Sequence, residues 1–313
     1  MATYTSGELA VQERAGLAGP AGNALRGIRG EVPEVAAAFL GEQPMIVVGA
    51  ADGAGRMWAT VLASEPGFLA VPDPSVVTIG ARPLPGDALA EVLAGEAKVG
   101  TIAIEPATRR RMRLNGRSAP AGTGAGLGSG SGPGPGPGSG SGLGLRVELD
   151  QVISNCPKYL QRRTYDIVPT TAGRAAGWRG EALTMAQQLV IATADTFFIA
   201  TADESGDADA SHRGGNPGFV EVVSPTRLRW PDYVGNAMFL TLGNLEQNPA
   251  AGLVFPDWET GDLLQVTGSA RTVWGAQRMV EFEVREVNEI SGALPLRWSE
   301  PEFSRFNPPI GAA

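Results

Sequence analysis

The side chains best suited to chemistry lie close together in the second half of the chain. Ser211, His212 and Arg213 bring a hydroxyl group, the only imidazole of the protein and a guanidinium group, and Gly214 and Gly215 follow directly. Serine and arginine bind phosphate groups, and glycine lets backbone N–H groups approach a ligand closely because it has no side chain. This stretch therefore predicts a site that binds an anionic group and the edge of a ring. The alternative is a glycine-rich turn with exposed polar residues.

A second polar stretch follows, in which two Gly-Asn pairs end at Asn236 and Asn244. Residues 237–242 between them are predicted as a strand, and Thr241 lies near its end. We expect a short helix after this strand, with an N-terminus that could hold a phosphate group. The first half of the chain has Asp87 in the corresponding region, and a carboxylate there would repel phosphate. Asparagine in its common role as a turn or cap residue is the alternative interpretation.

Both stretches belong to the second copy of an internal repeat. Residues 48–55 and 199–206 are apolar strands that run into an Asp/Gly turn, and their aspartates are 151 positions apart. The same spacing aligns a Pro-Gly-Phe sequence at 66–68 with one at 217–219. A nearly constant spacing over so many residues indicates a duplicated unit.

A glycine-rich run explains why the two copies differ in length. Residues 146–152 and 281–287 alternate apolar and charged side chains, as half-exposed strands do, but their spacing is only 135 positions. The first copy is therefore longer, and the glycine-rich run of residues 119–144 lies in the extra length. We interpret this run as a disordered insertion between two strands of the first copy, and we expect it to be dispensable for folding.

Short predicted strands dominate both copies. A helix is predicted before them at residues 33–40 in the first copy and at 185–192 in the second. Many short strands with few helices are typical of closed antiparallel barrels, since closure leaves no exposed sheet edge. The predicted fold class is mostly β, with short helices and two tandem β-barrels related by internal duplication. A helix predicted at residues 155–163 precedes the domain boundary, which gives domains of residues 1–165 and 166–313.

Composition and charge narrow the classes of function. The 313 residues carry a net charge of −8 and a pI of about 4.9, which argues against a protein that binds nucleic acid. The run Arg109 to Arg111 and Arg113 is therefore predicted to be an exposed barrel face or an anion contact. The single cysteine, Cys156, excludes an intrachain disulfide, and no residue spacing predicts a metal site. We find no apolar run long enough for a membrane and no signal sequence, so we expect a cytoplasmic protein.

Several short motifs extend over most of the chain. They are Ser6-Gly7-Glu8 followed by Gln12, residues 111–116, Asn155-Cys156-Pro157-Lys158-Tyr159 with Gln161, residues 211–219 and residues 243–249. As a set, these motifs resemble the FMN-binding split-barrel family, which includes pyridoxamine 5'-phosphate oxidase, and especially its bacterial members with two barrels in one chain. The resemblance implies FMN at the seam between two split β-barrels. These are either the two barrels of one chain or barrels of two chains in a homodimer.

The resemblance also implies roles for individual residues. We expect His212 to be the catalytic residue, with a hydrogen-bonding or proton-handling role near the flavin. The resemblance places Ser211, His212, Arg213, Thr241, Asn244 and Trp298 at the cofactor, and the two polar stretches themselves add Gly214, Gly215 and Asn236. The alternative for Trp298 is a tail residue that covers the barrel. Enzymes of the family carry arginine and lysine around the phosphate, whereas this chain has Thr241 and Asn244 there.

The implied function is that of an FMN-dependent oxidoreductase or oxidase, in which hydride passes between a small organic substrate and the flavin. Dioxygen or a nicotinamide cofactor would then reoxidise the flavin. Two alternatives stay open, namely a deazaflavin-dependent reductase of the same fold and a non-catalytic module that binds flavin or haem. Neither a nucleic acid nor a membrane is expected as a partner.

Overall fold

Strands dominate the computed structural model, which describes residues 3–122, 144–154, 158–169 and 177–310. Two eight-stranded sheets, one in each half of the chain, contain most of these strands. The predicted fold class, mostly β with two tandem barrel-like domains, is confirmed. The α-helices of the described residues are α1 (Ser6–Arg14), α2 (Ala18–Ala24), α3 (Glu34–Gly41), α4 (Met185–Thr193) and α5 (Leu240–Gln247). In this part of the chain no helix has the length and apolar character needed to cross a membrane.

The first sheet is antiparallel throughout. Its strands are β1 (Ile28–Arg29), β2 (Met45–Ala51), β3 (Met57–Ala63), β4 (Leu69–Asp73), β5 (Val76–Ile79), β6 (Ala97–Glu105), β7 (Arg110–Pro120) and β8 (Leu145–Ser154). Neighbouring strands follow the order β3-β2-β6-β7-β8-β5-β4, and the short β1 pairs with β8.

The second sheet repeats this order strand for strand. Its order is β12-β11-β15-β16-β17-β14-β13, with β10 paired to β17, while β9 and β18 form a separate two-stranded sheet. The strands are β9 (Tyr165–Ile167), β10 (Gly177–Gly180), β11 (Thr196–Ala202), β12 (Ala208–Gly214), β13 (Glu221–Ser224), β14 (Arg227–Pro231), β15 (Ala250–Pro256), β16 (Leu263–Val273), β17 (Met279–Ile290) and β18 (Leu296–Trp298).

A β-bulge recurs at the same place in both sheets. The register shifts between Asn115 and Gly116 where β7 pairs with β8, and between Thr267 and Gly268 where β16 pairs with β17. A Cβ atom on Gly116 would lie 1.9 Å from the carbonyl oxygen of Glu148, so the bulge requires a glycine. The two bulges, like the strand order, are what a duplicated unit would retain.

The two sheets pack against each other along a contact that we call the seam. It involves β2, β3, β6 and β7 of the first sheet and β11, β12, β15 and β16 of the second. At Gly49 an added Cβ atom would lie only 2.3 Å from that of Ala200, and at Gly100 it would lie 2.3 Å from the backbone of Asp209. Buried apolar side chains of both sheets, such as Val47 and Phe198, fill the remaining contact. The two barrels therefore pair within one chain.

The structure corrects one predicted strand. Residues 237–242 do not form a strand, because α5 already begins at Leu240 and the residues before it form an irregular turn. Ala237 and Phe239 have left-handed backbone conformations, which a strand does not contain. The helix is favoured because it buries Leu242 and Leu245 in the second core, which alternation along a strand would not do. The structure also contains the helix α1, which the sequence did not predict.

Other predicted helices have different outcomes. Helices predicted at residues 33–40 and 185–192 correspond to α3 and α4, although Pro33 caps α3 from an extended conformation instead of lying in its first turn. The helix predicted at residues 155–163 lies partly outside the described residues, as does Cys156. Its described part, from Lys158 onwards, consists of turns and a single bridge from Arg162 to Glu302.

The glycine-rich run connects two strands that are paired up to their ends. The strand β7 ends at Pro120 opposite Leu145, where β8 begins, and Ala121 N–H donates to the Gly144 carbonyl over 2.9 Å. Residues 123–143 lie outside the described residues, and so does most of the predicted insertion. The domain boundary after residue 165 stays a prediction.

We expect that an Asn-Gly pair can replace residues 122–143 without loss of the fold. A two-residue turn suits a hairpin closed by the pair of Ala121 and Gly144, and the shorter loop costs less closure entropy. The free energy of unfolding, measured in urea, should stay within about 1 kcal/mol of the wild-type value or increase. A variant that no longer unfolds cooperatively would show that the run takes part in the first barrel.

Candidate functional site

A cavity opens where β7 of the first barrel meets β12 of the second, and the turn before α5 closes one side. Its open space totals about 900 Å³, including the part that is continuous with solvent. Arg111 and Arg113 reach it from β7, whereas His212, Arg213 and Gly214 reach it from β12. Both barrels are therefore needed to form this site.

The lining of the cavity is strongly cationic. Besides the three arginines, Lys158 lies at its wall, and Asp232 is the one acidic residue among the described lining residues. Asp232 is neutralised by Arg278, whose guanidinium lies 2.8 Å away. Arg113 also has a partner, since Asp209 lies 3.4 Å from its Nη1 atom. The excess of positive charge, in a chain with a net charge of −8, favours an anionic ligand.

His212 is buried and neutral at the base of this cluster. Burial lowers its pKa well below 6.5, and the nearby charges of Arg111, Arg213 and Arg113 lower it further. The Nη1 atom of Arg111 lies 3.0 Å from His212 Nδ1. Because a guanidinium can only donate, Nδ1 must accept this hydrogen bond, and the proton of the neutral ring lies on Nε2. The Nε2–H group then has no hydrogen-bond partner among the described residues.

Several buried donors of the cavity share this property. The Nε atoms of Arg113 and Arg213, like Nε2 of His212, have no acceptor within the described ranges. A buried donor without an acceptor costs about 1–3 kcal/mol, so such groups are rare in folded proteins. Three of them lie around this one cavity, where acceptor atoms of a ligand would satisfy them.

The cavity wall contains unusual backbone conformations. Tyr159, Ala237 and Phe239 all line the cavity, and their φ angles are 64°, 63° and 59° respectively. Left-handed residues other than glycine are uncommon and concentrate at functional sites. The turn at Tyr159 also requires Gly214, because a Cβ atom there would lie 2.0 Å from the Tyr159 carbonyl oxygen.

The structure brings five of the residues predicted for cofactor binding to the cavity. These are His212, Arg213, Gly214, Asn236 and Thr241. Ser211 lies directly behind them, with its Oγ atom 2.8 Å from Oγ1 of Thr241.

Three other predicted residues are not among those that line the cavity. The Gly215 carbonyl accepts a hydrogen bond from Gln161, and Asn244 donates to Thr201 over 3.1 Å. The Trp298 ring packs between the rings of Tyr165 and Trp258. Their roles in cofactor binding stay predictions.

Sequence reasoning did not assign Arg111 and Arg113 to the site. It did consider an anion contact for this arginine run, and two residues two positions apart on a strand share a face. The face that they would meet depends on how the barrels pack, which no local pattern shows. Tyr159 and Tyr233, whose ring centroids are 5.1 Å apart in the cavity wall, were missed for the same reason.

The corresponding place in the other half of the seam is filled by side chains. By the repeat spacing, Thr60 takes the position of Ser211 and Gln265 that of Arg113. Thr60 donates to the Asp87 carboxyl group, which also accepts from Gln265 Nε2 over 3.2 Å. Burial raises the pKa of Asp87 in spite of these hydrogen bonds. Among the described residues, Thr60, Asp87 and Gln265 have no buried side-chain polar atom without a partner, in contrast to the donors of the cavity.

A buried carboxyl group lies behind the cavity wall. Glu8 of α1 packs against α5, where a Cβ atom on Gly243 would lie 2.5 Å from its Cγ atom. Burial raises the pKa of Glu8 to about 7, the hydrogen bonds from Thr5 oppose this shift, and the charges of Asp209 and Asp203 add to it. Glu8 is therefore largely protonated in the folded protein below pH 7.

His212 should not titrate in the physiological range. Because it is the only histidine, one set of imidazole signals appears in the NMR spectrum of ¹⁵N-labelled protein. We expect these signals to report the neutral ring with its proton on Nε2 from pH 8 to pH 5. The same signals in urea-unfolded protein are the control and should titrate near 6.5. A midpoint near 6.5 in the folded protein would contradict the buried cationic environment.

The stability of the protein should fall between pH 4.5 and pH 7 because of Glu8. The unfolded chain releases this proton near 4.5, whereas the folded chain holds it up to about pH 7, so rising pH favours unfolding over this window. Glu8→Gln keeps the hydrogen bond from Thr5 N–H and has no proton to lose. The melting temperature of each protein is measured at pH 5 and pH 7.5. It should fall less between these pH values in Glu8→Gln than in the wild type, and equal falls would contradict this assignment.

Comparisons with known proteins find one family match, which lies in the second half of the chain. Residues 183–307 match the family model described as pyridoxamine 5'-phosphate oxidase. No curated protein matches the chain.

Similar solved structures include HupZ of Group A Streptococcus, with 13% identity over 33% of this chain and 90% of that chain and a TM-score of 0.28. A putative pyridoxamine 5'-phosphate oxidase from Lactobacillus delbrueckii has 17% identity over 34% of this chain and 93% of that chain, with a TM-score of 0.27. An FAD-binding protein from Mycobacterium smegmatis has 14% identity over 37% of this chain and 98% of that chain, with a TM-score of 0.25.

The family match covers β12, α5 and the turn between them that lines the cavity. It confirms the resemblance that the sequence motifs indicate. The matched residues 183–307, with His212, Arg213 and Thr241 among them, are thus similar to the pyridoxamine 5'-phosphate oxidase family.

Proposed function

We propose that this chain is a flavin-dependent oxidoreductase that holds FMN in the cavity at the seam and acts on a small organic substrate. The observation that carries the proposal is the set of buried donors without acceptors, contributed by β7 and β12, in a cavity of net positive charge. An anionic cofactor with many acceptor atoms fits this set. When bound, flavin supplies the hydride chemistry that no side chain of the protein can supply.

The arginines of the cavity would bind the phosphate of FMN. Arg113 and Arg213 each have a buried Nε–H group to donate, and Arg111 adds charge beside His212. Arginine suits phosphate because its planar group donates two parallel hydrogen bonds. The first barrel would thus supply the positive charge that Thr241 and Asn244 do not supply.

His212 would act as a hydrogen-bond donor near the flavin ring and not as a general acid. Its low pKa makes the imidazolium form unfavourable, so the ring has no second proton to transfer at neutral pH. The Nε2–H group can still donate to an acceptor at the edge of a ring. In this proposal His212 keeps the catalytic role that we predicted from the sequence, through the hydrogen bond that it donates.

A single chain would suffice for the site, because both barrels already contribute to the cavity. A homodimer is therefore not required, although dimerisation stays a prediction. Dioxygen or a nicotinamide cofactor would serve as the co-substrate that reoxidises the flavin.

Replacement of Arg213 or Arg113 by glutamine should weaken FMN binding about 10- to 100-fold, as expected for the loss of one hydrogen bond to a charged group. Quenching of FMN fluorescence on titration with protein measures the dissociation constant. Arg117→Gln is the matched control, since Arg117 lies on β7 like Arg113 but is exposed and does not line the cavity. It should bind FMN like the wild type.

Wild-type protein that binds no flavin, or variants at Arg113 and Arg213 that bind it unchanged, would contradict the proposal. Parallel titrations with FAD, a deazaflavin and haem identify the preferred cofactor. Preference for the deazaflavin would favour the reductase alternative. A flavin-loaded protein that oxidises no amine, alcohol or reduced nicotinamide would favour the non-catalytic alternative.

A further inference from the structure

The helix α1 contacts α5 backbone to backbone. A Cβ atom on Gly7 would lie 2.1 Å from the carbonyl oxygen of Gly243, so no larger residue fits without a shift of one helix. Beside this contact, Gln247 Nε2 donates to Ser6 Oγ over 2.7 Å. The capping box of Thr5 and Glu8 fixes the first turn of α1. The position of α1 on α5 is therefore closely defined.

From this position α1 reaches the wall of the cavity through Gln12. The Gln12 side chain is buried, and its Nε2 atom donates to the Met238 carbonyl over 3.0 Å. Met238 lies between Ala237 and Phe239, the two left-handed residues of the wall. These conformations are unfavourable for residues with side chains, so surrounding contacts must hold them.

We propose that α1 holds the cavity wall at residues 237–239 in its ligand-binding shape, and that Gln12 is the positioning residue of this helix. The inference rests on the proposed function, because it assigns to Gln12 an effect on cofactor affinity. Gln12 is not among the residues that line the cavity, and it would act through the Met238 carbonyl. Without this hydrogen bond the turn can relax towards ordinary backbone conformations, and the wall loses its shape.

A second buried glutamine provides a matched control. Gln43 in the first barrel is also buried, and its Nε2 atom donates to the Phe39 carbonyl over 2.5 Å. Gln43→Leu therefore removes the same kind of hydrogen bond at a place that does not adjoin the cavity. Gln12→Leu and Gln43→Leu should lower the melting temperature to a similar extent, but they should differ in their effects at the site.

The test compares these two variants by hydrogen exchange and by FMN titration. In ligand-free protein, Gln12→Leu should accelerate amide exchange in residues 232–243, whereas Gln43→Leu should not. The FMN dissociation constant should rise about tenfold in Gln12→Leu, the equivalent of one hydrogen bond, and stay unchanged in Gln43→Leu. Unchanged exchange in Gln12→Leu, or faster exchange with unchanged affinity, would overturn the proposal.

Gln12→Glu is a second variant that tests the same hydrogen bond if Gln12→Leu does not fold. A glutamic acid of the same size can donate to the Met238 carbonyl only while it is protonated. Its FMN affinity relative to wild type at the same pH should therefore recover as the pH falls from 8 to 5, and a constant ratio would overturn the proposal. If wild-type protein binds no FMN, the proposed function fails, and the exchange of residues 232–243 alone then decides whether Gln12 holds the wall.

Discussion

The close packing of the two sheets at the seam is the constraint on which the rest of the structure depends. At Gly49 and Ala200 the strands approach so closely that one added methyl group would overlap its neighbour. Interiors packed at this density shift as rigid units, so the contact fixes where β7 lies relative to β12. Arg111 thereby reaches His212 and Arg113 reaches Asp209, both in the other barrel, and neither barrel alone has the cationic cavity.

The duplicated barrels use equivalent places of the seam in opposite ways. At one place Thr60, Asp87 and Gln265 satisfy each other's hydrogen bonds in a buried network, which is favourable only when every member has a partner. At the other, Arg113, Arg213 and His212 retain buried donors without acceptors. The first arrangement stabilises the seam, and the second carries a cost in stability that a bound anion would offset. The two copies thus differ at this place, since one closes it with a polar network and the other leaves a cationic cavity.

Much of the fold could be predicted because the repeat is visible in the sequence. Constant spacing between copies predicts the same strand order twice, and the alternating residues of β8 and β17 predict half-exposed strands. The polar stretch of β12 could be assigned to a site because His212 and Arg213 have no counterpart in the first copy. These signals are local or come from comparison of the copies.

The remaining parts of the site depend on contacts between distant segments. The apolar run from Ala237 to Leu242 reads as a strand by itself, but packing of α5 against α1 favours the helix. The face met by Arg111 depends on the seam, and the Met238 carbonyl, between the left-handed Ala237 and Phe239, accepts a hydrogen bond from the distant Gln12. No pattern within either segment contains this information.

The most direct test of the account is the number of flavin molecules bound per chain, determined by native mass spectrometry of the intact protein after loading with FMN. We expect one FMN per chain, because one half of the seam holds the cavity and the other is filled by its own side chains. Two FMN molecules per chain would contradict the difference between the halves, and none would contradict the assignment of the cavity to a flavin.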